Sequence, residues 1–153
     1  IASRDDVTEN WTDFMRVEQC MSTDLHTVSE DEPIAFVASV MKWRGIRHLP
    51  VEDDDQRITG LITLRDVVNA LLVGGDRVDA STISAAEIMT EDPLTVPPNK
   101  SMLEAIRLMR KHAVGCLPVV SGEGQAVGIL TERDVMDIAG ELMEEVRGEH
   151  QNG

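Results

Sequence analysis

Residues 21–67 recur without a gap 68 positions further along the chain, and this duplication constrains the possible folds more than any single motif does. Thirteen of the 47 pairs are identical: Met21 with Met89, Asp24 with Asp92, Thr27-Val28 with Thr95-Val96, Met41 with Met109, Leu49-Pro50-Val51 with Leu117-Pro118-Val119, Gly60 with Gly128, and Thr63, Arg65, Asp66 and Val67 with Thr131, Arg133, Asp134 and Val135. Others are conservative, such as Ile46 with Val114. Each copy of such a tandem duplication is one supersecondary unit that shares its core with a neighbour. About 60 residues is marginal for a unit folding alone, so the two copies are expected to pack through their sheets.

Periodicity orders the elements within a copy. Leu25–Val28 predicts a short strand, and Asp31-Glu-Pro33 then opens a helix with Ile34, Val37, Ala38 and Met41 on its apolar face. In the second copy Ser101 and Glu104 form a capping-box pattern, while Met102, Ala105, Ile106 and Met109 keep the same phase. Ile46–Val51 and Val114–Val120 predict strands, followed by the turns Asp53-Asp54-Asp55 and Ser121–Gly124. No further ligands are spaced around the three aspartates, so a solvated turn is favoured over a cation site. Each copy reads strand, helix, strand, strand, helix. The chain then divides into a leading amphipathic helix (1–16, with Ser3-Arg-Asp-Asp6 as its cap and Val7, Trp11, Phe14 and Met15 at helical spacing), a first repeat (17–74), a polar linker (75–84), a second repeat (85–140), and a helix end with tail (141–153).

The last strand of each copy runs into its last helix through Gly60-Leu-Ile-Thr63-Leu-Arg65-Asp66 and Gly128-Ile-Leu-Thr131-Glu-Arg133-Asp134. Two readings are open. Thr as N-cap and Asp as third helical residue make a capping box, which needs nothing beyond local geometry. Alternatively the helix start receives a phosphorylated ligand, because free N–H groups and the positive dipole end favour an anion. Thr then offers a hydroxyl to phosphate, Arg a cationic fork, and Asp an acceptor for ribose hydroxyls.

Charge narrows the partners. With 14 Lys and Arg against 28 Asp and Glu, the net charge of −14 argues against duplex nucleic acid and anionic membranes. An aromatic content of 3% leaves few platforms for stacking single-stranded bases. No apolar run approaches a membrane span, and no secretory signal is visible. Cys20 and Cys116 form no disulfide framework or metal spacing, so a reduced, cytoplasmic setting is expected. The chain begins at Ile1, which suggests a trimmed product or a segment of something longer.

Taken in order and twice over, these marks resemble a tandem pair of CBS domains, often called a Bateman module, across residues 17 to 140. The resemblance rests on Cys20-Met21-Ser22 and Ile88-Met89-Thr90 at the repeat starts, the strands Ile46-Arg47-His48-Leu49-Pro50-Val51 and Val114-Gly115-Cys116-Leu117-Pro118-Val119, and the two Gly-x-x-Thr-x-x-Asp segments. It implies an α/β (α+β) fold of two pseudo-twofold-related β-α-β-β-α repeats with clefts between them, a homodimer, and a regulatory role for an attached or separate effector domain. No cofactor is required; the regulatory ligand is an adenine nucleotide (AMP, ADP or ATP) or S-adenosylmethionine. By the resemblance Thr63 and Asp66, and Thr131 and Asp134, meet phosphate and ribose, while Arg65 and Arg133 are the cationic forks of the phosphate reading above. Thr27, Val28, Ile46, Arg47, His48 and Pro50, with Thr95, Val96, Val114, Cys116 and Pro118, line the base pockets.

The copies differ where charge matters. Arg47 and His48 of the first are Gly115 and Cys116 in the second, and Leu64 is matched by acidic Glu132. The expectation is unequal sites, the first preferring a nucleotide and the second better suited to the sulfonium of S-adenosylmethionine. A dimerisation module with degenerate pockets is the alternative. An enzyme is not expected: His26, His48, His112 and His150 lack metal spacing, no nucleophile motif is present, and Asp66 as a general base would need a poised partner.

Overall fold

The computed structural model describes residues 15–74 and 79–151. The expected helix over 3–15 lies outside them apart from its last residue. The described elements run α1 (Val17–Cys20), β1 (Val28–Ser29), α2 (Ile34–Arg44), β2 (His48–Glu52), β3 (Ile58–Thr63), α3 (Leu64–Gly74), α4 (Ala85–Ile88), β4 (Thr90–Glu91), α5 (Met102–His112), β5 (Cys116–Val120), β6 (Ala126–Thr131) and α6 (Glu132–Gln151). The mixed α/β class and the duplicated strand–helix–strand–strand–helix order hold, with a short helical turn added at the head of each copy.

One sheet has the order β1-β2-β3-β4: β1 is parallel to β2, and the β2–β3 and β3–β4 pairs are antiparallel. The second sheet, β5-β6, is flanked by single bridges at the equivalent places, Val96 to Val119 (parallel) and Ser22 to Ile129 (antiparallel). Leu49 and Val51 alternate inward from β2 and join Val28, Val37, Met41, Ile62, Val67 and Ala85 in a buried cluster. His48 and Pro50 lie on the opposite face of the strand by the same alternation.

Two strand starts differ from the expectation. Of Leu25–Val28 only Val28 joins a ladder, together with Ser29 just beyond the expected strand, pairing with Val51 and Glu52. Ile46 and Val114 are not strand residues: their N–H groups donate to Met41 and Met109 carbonyls (3.1 and 3.0 Å) and close the preceding helices. Each closure passes through a left-handed residue, Gly45 at φ 64° and Ala113 at φ 51°. Glycine accepts that conformation without penalty and alanine does not. Ala113→Gly is therefore expected to stabilise the protein by about 0.5–1 kcal/mol, read as a higher urea midpoint at unchanged slope.

The compact units are not the sequence repeats. Residues 25–74 and 79–94 associate with Val120–Ala126, while residues 15–24, Thr95–Val119 and residues 127–151 form the other unit. Among the described residues, the head of each repeat thus belongs with the body of the other. Met89 covers Gly60 and Met21 covers Gly128, the same contact made twice.

Candidate functional site

Each Gly-x-x-Thr-x-x-Asp segment converts a strand into a helix, and the side chains at that junction are held by reciprocal hydrogen bonds. In the unit built on Leu25–Leu94, the Thr63 N–H donates to Asp66 Oδ2 (2.8 Å) and the Asp66 N–H donates to Thr63 Oγ1 (3.2 Å). The second copy repeats this: Thr131 N–H to Asp134 Oδ2 (2.9 Å) and Asp134 N–H to Thr131 Oγ1 (3.4 Å). The capping box is thus present in both copies, and the first helical N–H of each helix, at Leu64 and Glu132, is spent on the Arg47 and Gly115 carbonyls.

The two boxes differ in one oxygen. Ser22 Oγ donates to Asp134 Oδ1 at 3.0 Å, and Asp134 Oδ2 is shared between the Thr131 N–H and, at 3.2 Å, its hydroxyl. Among the described residues nothing donates to Asp66 Oδ1. The residue equivalent to Ser22 is Thr90, which pairs with Leu61 in the sheet but makes no hydrogen bond to Asp66. The Asp66 carboxylate therefore retains an acceptor for an incoming hydroxyl, whereas that of Asp134 is committed.

All first-copy candidates fall in one unit and all second-copy candidates in the other. Thr27 leads into buried Val28; Ile46 caps α2; His48 pairs with Thr63, and Pro50 is fully buried opposite Leu61. Arg47 is exposed, and its carbonyl accepts the Leu64 N–H at 2.8 Å, which fixes the strand entry beside the helix start. Thr95 precedes buried Val96, whose N–H donates to the Pro118 carbonyl (3.1 Å); Val114 caps α5. Gly115 accepts from the Glu132 N–H (3.1 Å), repeating the Arg47–Leu64 contact. Arg65 and Arg133 are exposed in the first turn of their helices. Ser22 was not anticipated: it stands 112 residues from Asp134.

Cys116 is buried, and desolvation followed by the negative charge of Asp134 pushes its thiol up to about 12. Cys20 is raised in the same direction by burial, then by Asp134 and Glu141. Neither is a thiolate nucleophile at neutral pH. The folded thiol of Cys116 keeps its proton above the ordinary value of 9.0, so its contribution to stability is whole below pH 9 and is lost as pH rises towards about 12. Cys116→Ala is expected to flatten the fall in melting temperature over that window.

Among the described residues no cluster of His, Cys, Asp and Glu is arranged to hold a metal ion, and no helix is long and apolar enough to cross a membrane. What each unit offers is a helix start with hydroxyl, carboxylate and guanidinium groups.

The sequence pattern of the CBS domain matches this chain twice, over residues 17–73 and 85–141. A CBS domain-containing protein of Dictyostelium discoideum is 31% identical, over 85% of this chain and 94% of its own length. Inosine-5'-monophosphate dehydrogenase of Thermoplasma acidophilum is 31% identical over 79% of this chain, and homoserine O-acetyltransferase of Methanocorpusculum labreanum 35% identical over 76%. The chain spans only 23% of the length of each of these two enzymes. Among solved structures, a Vibrio cholerae protein assigned to acetoin utilization has a TM-score of 0.76 at 30% identity, covering 88% of this chain and 96% of that one. The same fold is shared with CBSX2 in complex with AMP (TM-score 0.74, 24% identity, 84% and 98% covered). It is shared equally with a CBS domain pair in complex with 5'-methylthioadenosine and S-adenosyl-L-methionine (TM-score 0.74, 24% identity, 83% and 97% covered).

Proposed function

Because the chain belongs to the CBS-domain family and carries two copies of the domain in tandem, we propose that it is a regulatory module that binds an adenine nucleotide and passes its occupancy to an effector domain. The observation that carries this reading is the Thr63–Asp66 box, in which Asp66 holds the helix start with one oxygen and keeps the other for a ligand. Arg47 and Arg65 stand at the same junction and supply the cations a phosphate needs. Pairs of this fold in complex with AMP, or with 5'-methylthioadenosine and S-adenosyl-L-methionine, support an adenosine ligand. Relatives in which the matching segment is a minor part of an enzyme support an effector attached to or partnered with the module. Regulation requires that the ligand bind one arrangement of the effector-coupled protein better than the other.

A second reading, a homodimerisation module in which the boxes only cap helices, is favoured by exposed apolar side chains on α3 (Leu72, Val73) and α6 (Met136, Met143). A thermal-shift titration separates the two. Ligand at a hundredfold its Kd stabilises by about 2.7 kcal/mol, roughly 5–11 °C for a chain of this size. AMP, ADP or ATP is expected to give that rise in the wild type, and Asp66→Ala to abolish it while costing about 1 kcal/mol of stability through the lost cap. No rise with any of them leaves the dimerisation reading.

A further inference from the structure

The duplication supplies an internal control for ligand charge. In both copies the same backbone hydrogen bond, Leu64 N–H to Arg47 O (2.8 Å) and Glu132 N–H to Gly115 O (3.1 Å), sets the strand-entry residue beside the first helical residue. The fold is therefore indifferent to the two side chains at that corner, yet they have exchanged character. The first copy places a cation beside an apolar residue, Arg47 and Leu64. The second places nothing beside an anion: a Cβ on Gly115 would lie 3.4 Å from the Glu132 carboxyl carbon and 3.5 and 3.6 Å from its oxygens. Glu132 thus occupies the space over Gly115, at the position equivalent to Arg47. The two corners also differ in their Asp, since Ser22 engages Asp134 Oδ1 and nothing described engages Asp66 Oδ1.

An acidic residue in the first turn also complements the helix dipole, and that alone would place a Glu at position 132. It does not explain why Gly faces it where Arg stands in the other copy, nor why the neighbouring carboxylate is already satisfied. Counting the three charged side chains at each junction, Arg47, Arg65 and Asp66 carry a net positive charge, whereas Glu132, Arg133 and Asp134 carry a net negative one. A phosphate dianion approaching the second helix start meets a carboxylate where the first offers a guanidinium.

We propose that Glu132, set against Gly115, is a specificity-determining residue that excludes phosphate from the second site, leaving that site to an adenosine compound that is uncharged or cationic. This rests on the nucleotide-binding reading above and deepens it. The first site takes the nucleotide and the second takes the nucleoside, so one module reports on two chemically distinct ligands. The Asp134 carboxylate then gives up its Ser22 hydrogen bond when a ribose hydroxyl replaces it, a neutral exchange of donors.

Adenosine and AMP differ only by the phosphate and are the probes. Isothermal titration of the wild type is expected to give one AMP per chain, abolished by Asp66→Ala. Adenosine added to the AMP-saturated protein is expected to bind one further equivalent, abolished by Asp134→Ala. Grafting the first-copy corner onto the second, as Gly115→Arg with Glu132→Leu, is expected to raise AMP stoichiometry from one to two, the new equivalent binding at least tenfold more tightly than AMP binds that site in the wild type. Glu132 is exposed, so Glu132→Leu alone serves if the double variant does not fold, with the same direction and a smaller gain. A merely dipole-complementing Glu132 would change stability and leave stoichiometry at one, which overturns the proposal. Two equal AMP equivalents on the wild type overturn it too while leaving the nucleotide-sensor reading intact. No AMP binding to either wild type or graft overturns both.

Discussion

Gly128→Ala is expected to destabilise the protein by about 1–3 kcal/mol, the usual cost of inserting a methyl group into a filled site. A Cβ at this buried position would meet Met21 Sδ at 2.5 Å and Cγ at 3.0 Å, together with the Ser22 carbonyl oxygen at 3.1 Å. The thioether can swing aside, but the carbonyl cannot. Ser22 and Ile129 exchange both backbone hydrogen bonds (2.9 and 3.0 Å), so that oxygen is part of the pairing that holds the head of the first repeat in place. Gly60→Ala is the equivalent change in the other copy: the three atoms nearest its added methyl all belong to Met89, among them Cγ at 2.8 Å and Cβ at 3.0 Å. Truncating the methionine to alanine removes the thioether from both clashes and leaves one close neighbour in each, the retained Cβ of residue 89 beside position 60 and the Ser22 carbonyl beside position 128. Double-mutant cycles by urea denaturation are expected to give favourable couplings of about 1 kcal/mol for both Gly60→Ala with Met89→Ala and Gly128→Ala with Met21→Ala. Additivity in both cycles would mean that neither methionine is the neighbour that matters.

These paired contacts show where sequence reading reaches its limit. The duplication, the strand-to-helix junctions and the order of elements are local patterns, written as periodicity and capping residues within a few positions of one another. Even the departures have local causes: Ile46 and Val114 look like strand residues by composition, but a left-handed Gly45 or Ala113 spends their N–H groups on closing a helix. The assignment of each repeat's head to the other repeat's body has no such signature. Met21 and Met89 are identical residues at matching positions, and identity cannot say which of two identical glycines each will cover. The site follows the same division. Thr63, Asp66, Thr131 and Asp134 announce their bonds through their three-residue spacing, whereas Ser22 reaches Asp134 across 112 residues. The available hint is that Ser22 and its equivalent Thr90 are both hydroxyl residues, and the hint is ambiguous, since only one of them makes the bond.

Leu49→Ala is expected to cost about 2–5 kcal/mol, because Leu49 is fully buried and its removal leaves a cavity among Val28, Val37, Met41, Ile62 and Val67. For a chain of this size that is a fall in melting temperature of roughly 4–20 °C. The neighbouring residues His48 and Pro50 lie on the other face of β2, so this damage falls on the core and not on the junction with Thr63. The nucleotide-induced rise should survive in Leu49→Ala at close to its wild-type size, measured from a lower starting temperature. Asp66→Ala should behave in the opposite way, losing about 1 kcal/mol of intrinsic stability and all of the nucleotide response. This double dissociation bears directly on whether Thr63 and Asp66 do more than cap α3. If capping were their whole role, ligand response would follow stability, and Leu49→Ala would be the more damaged variant in both measurements.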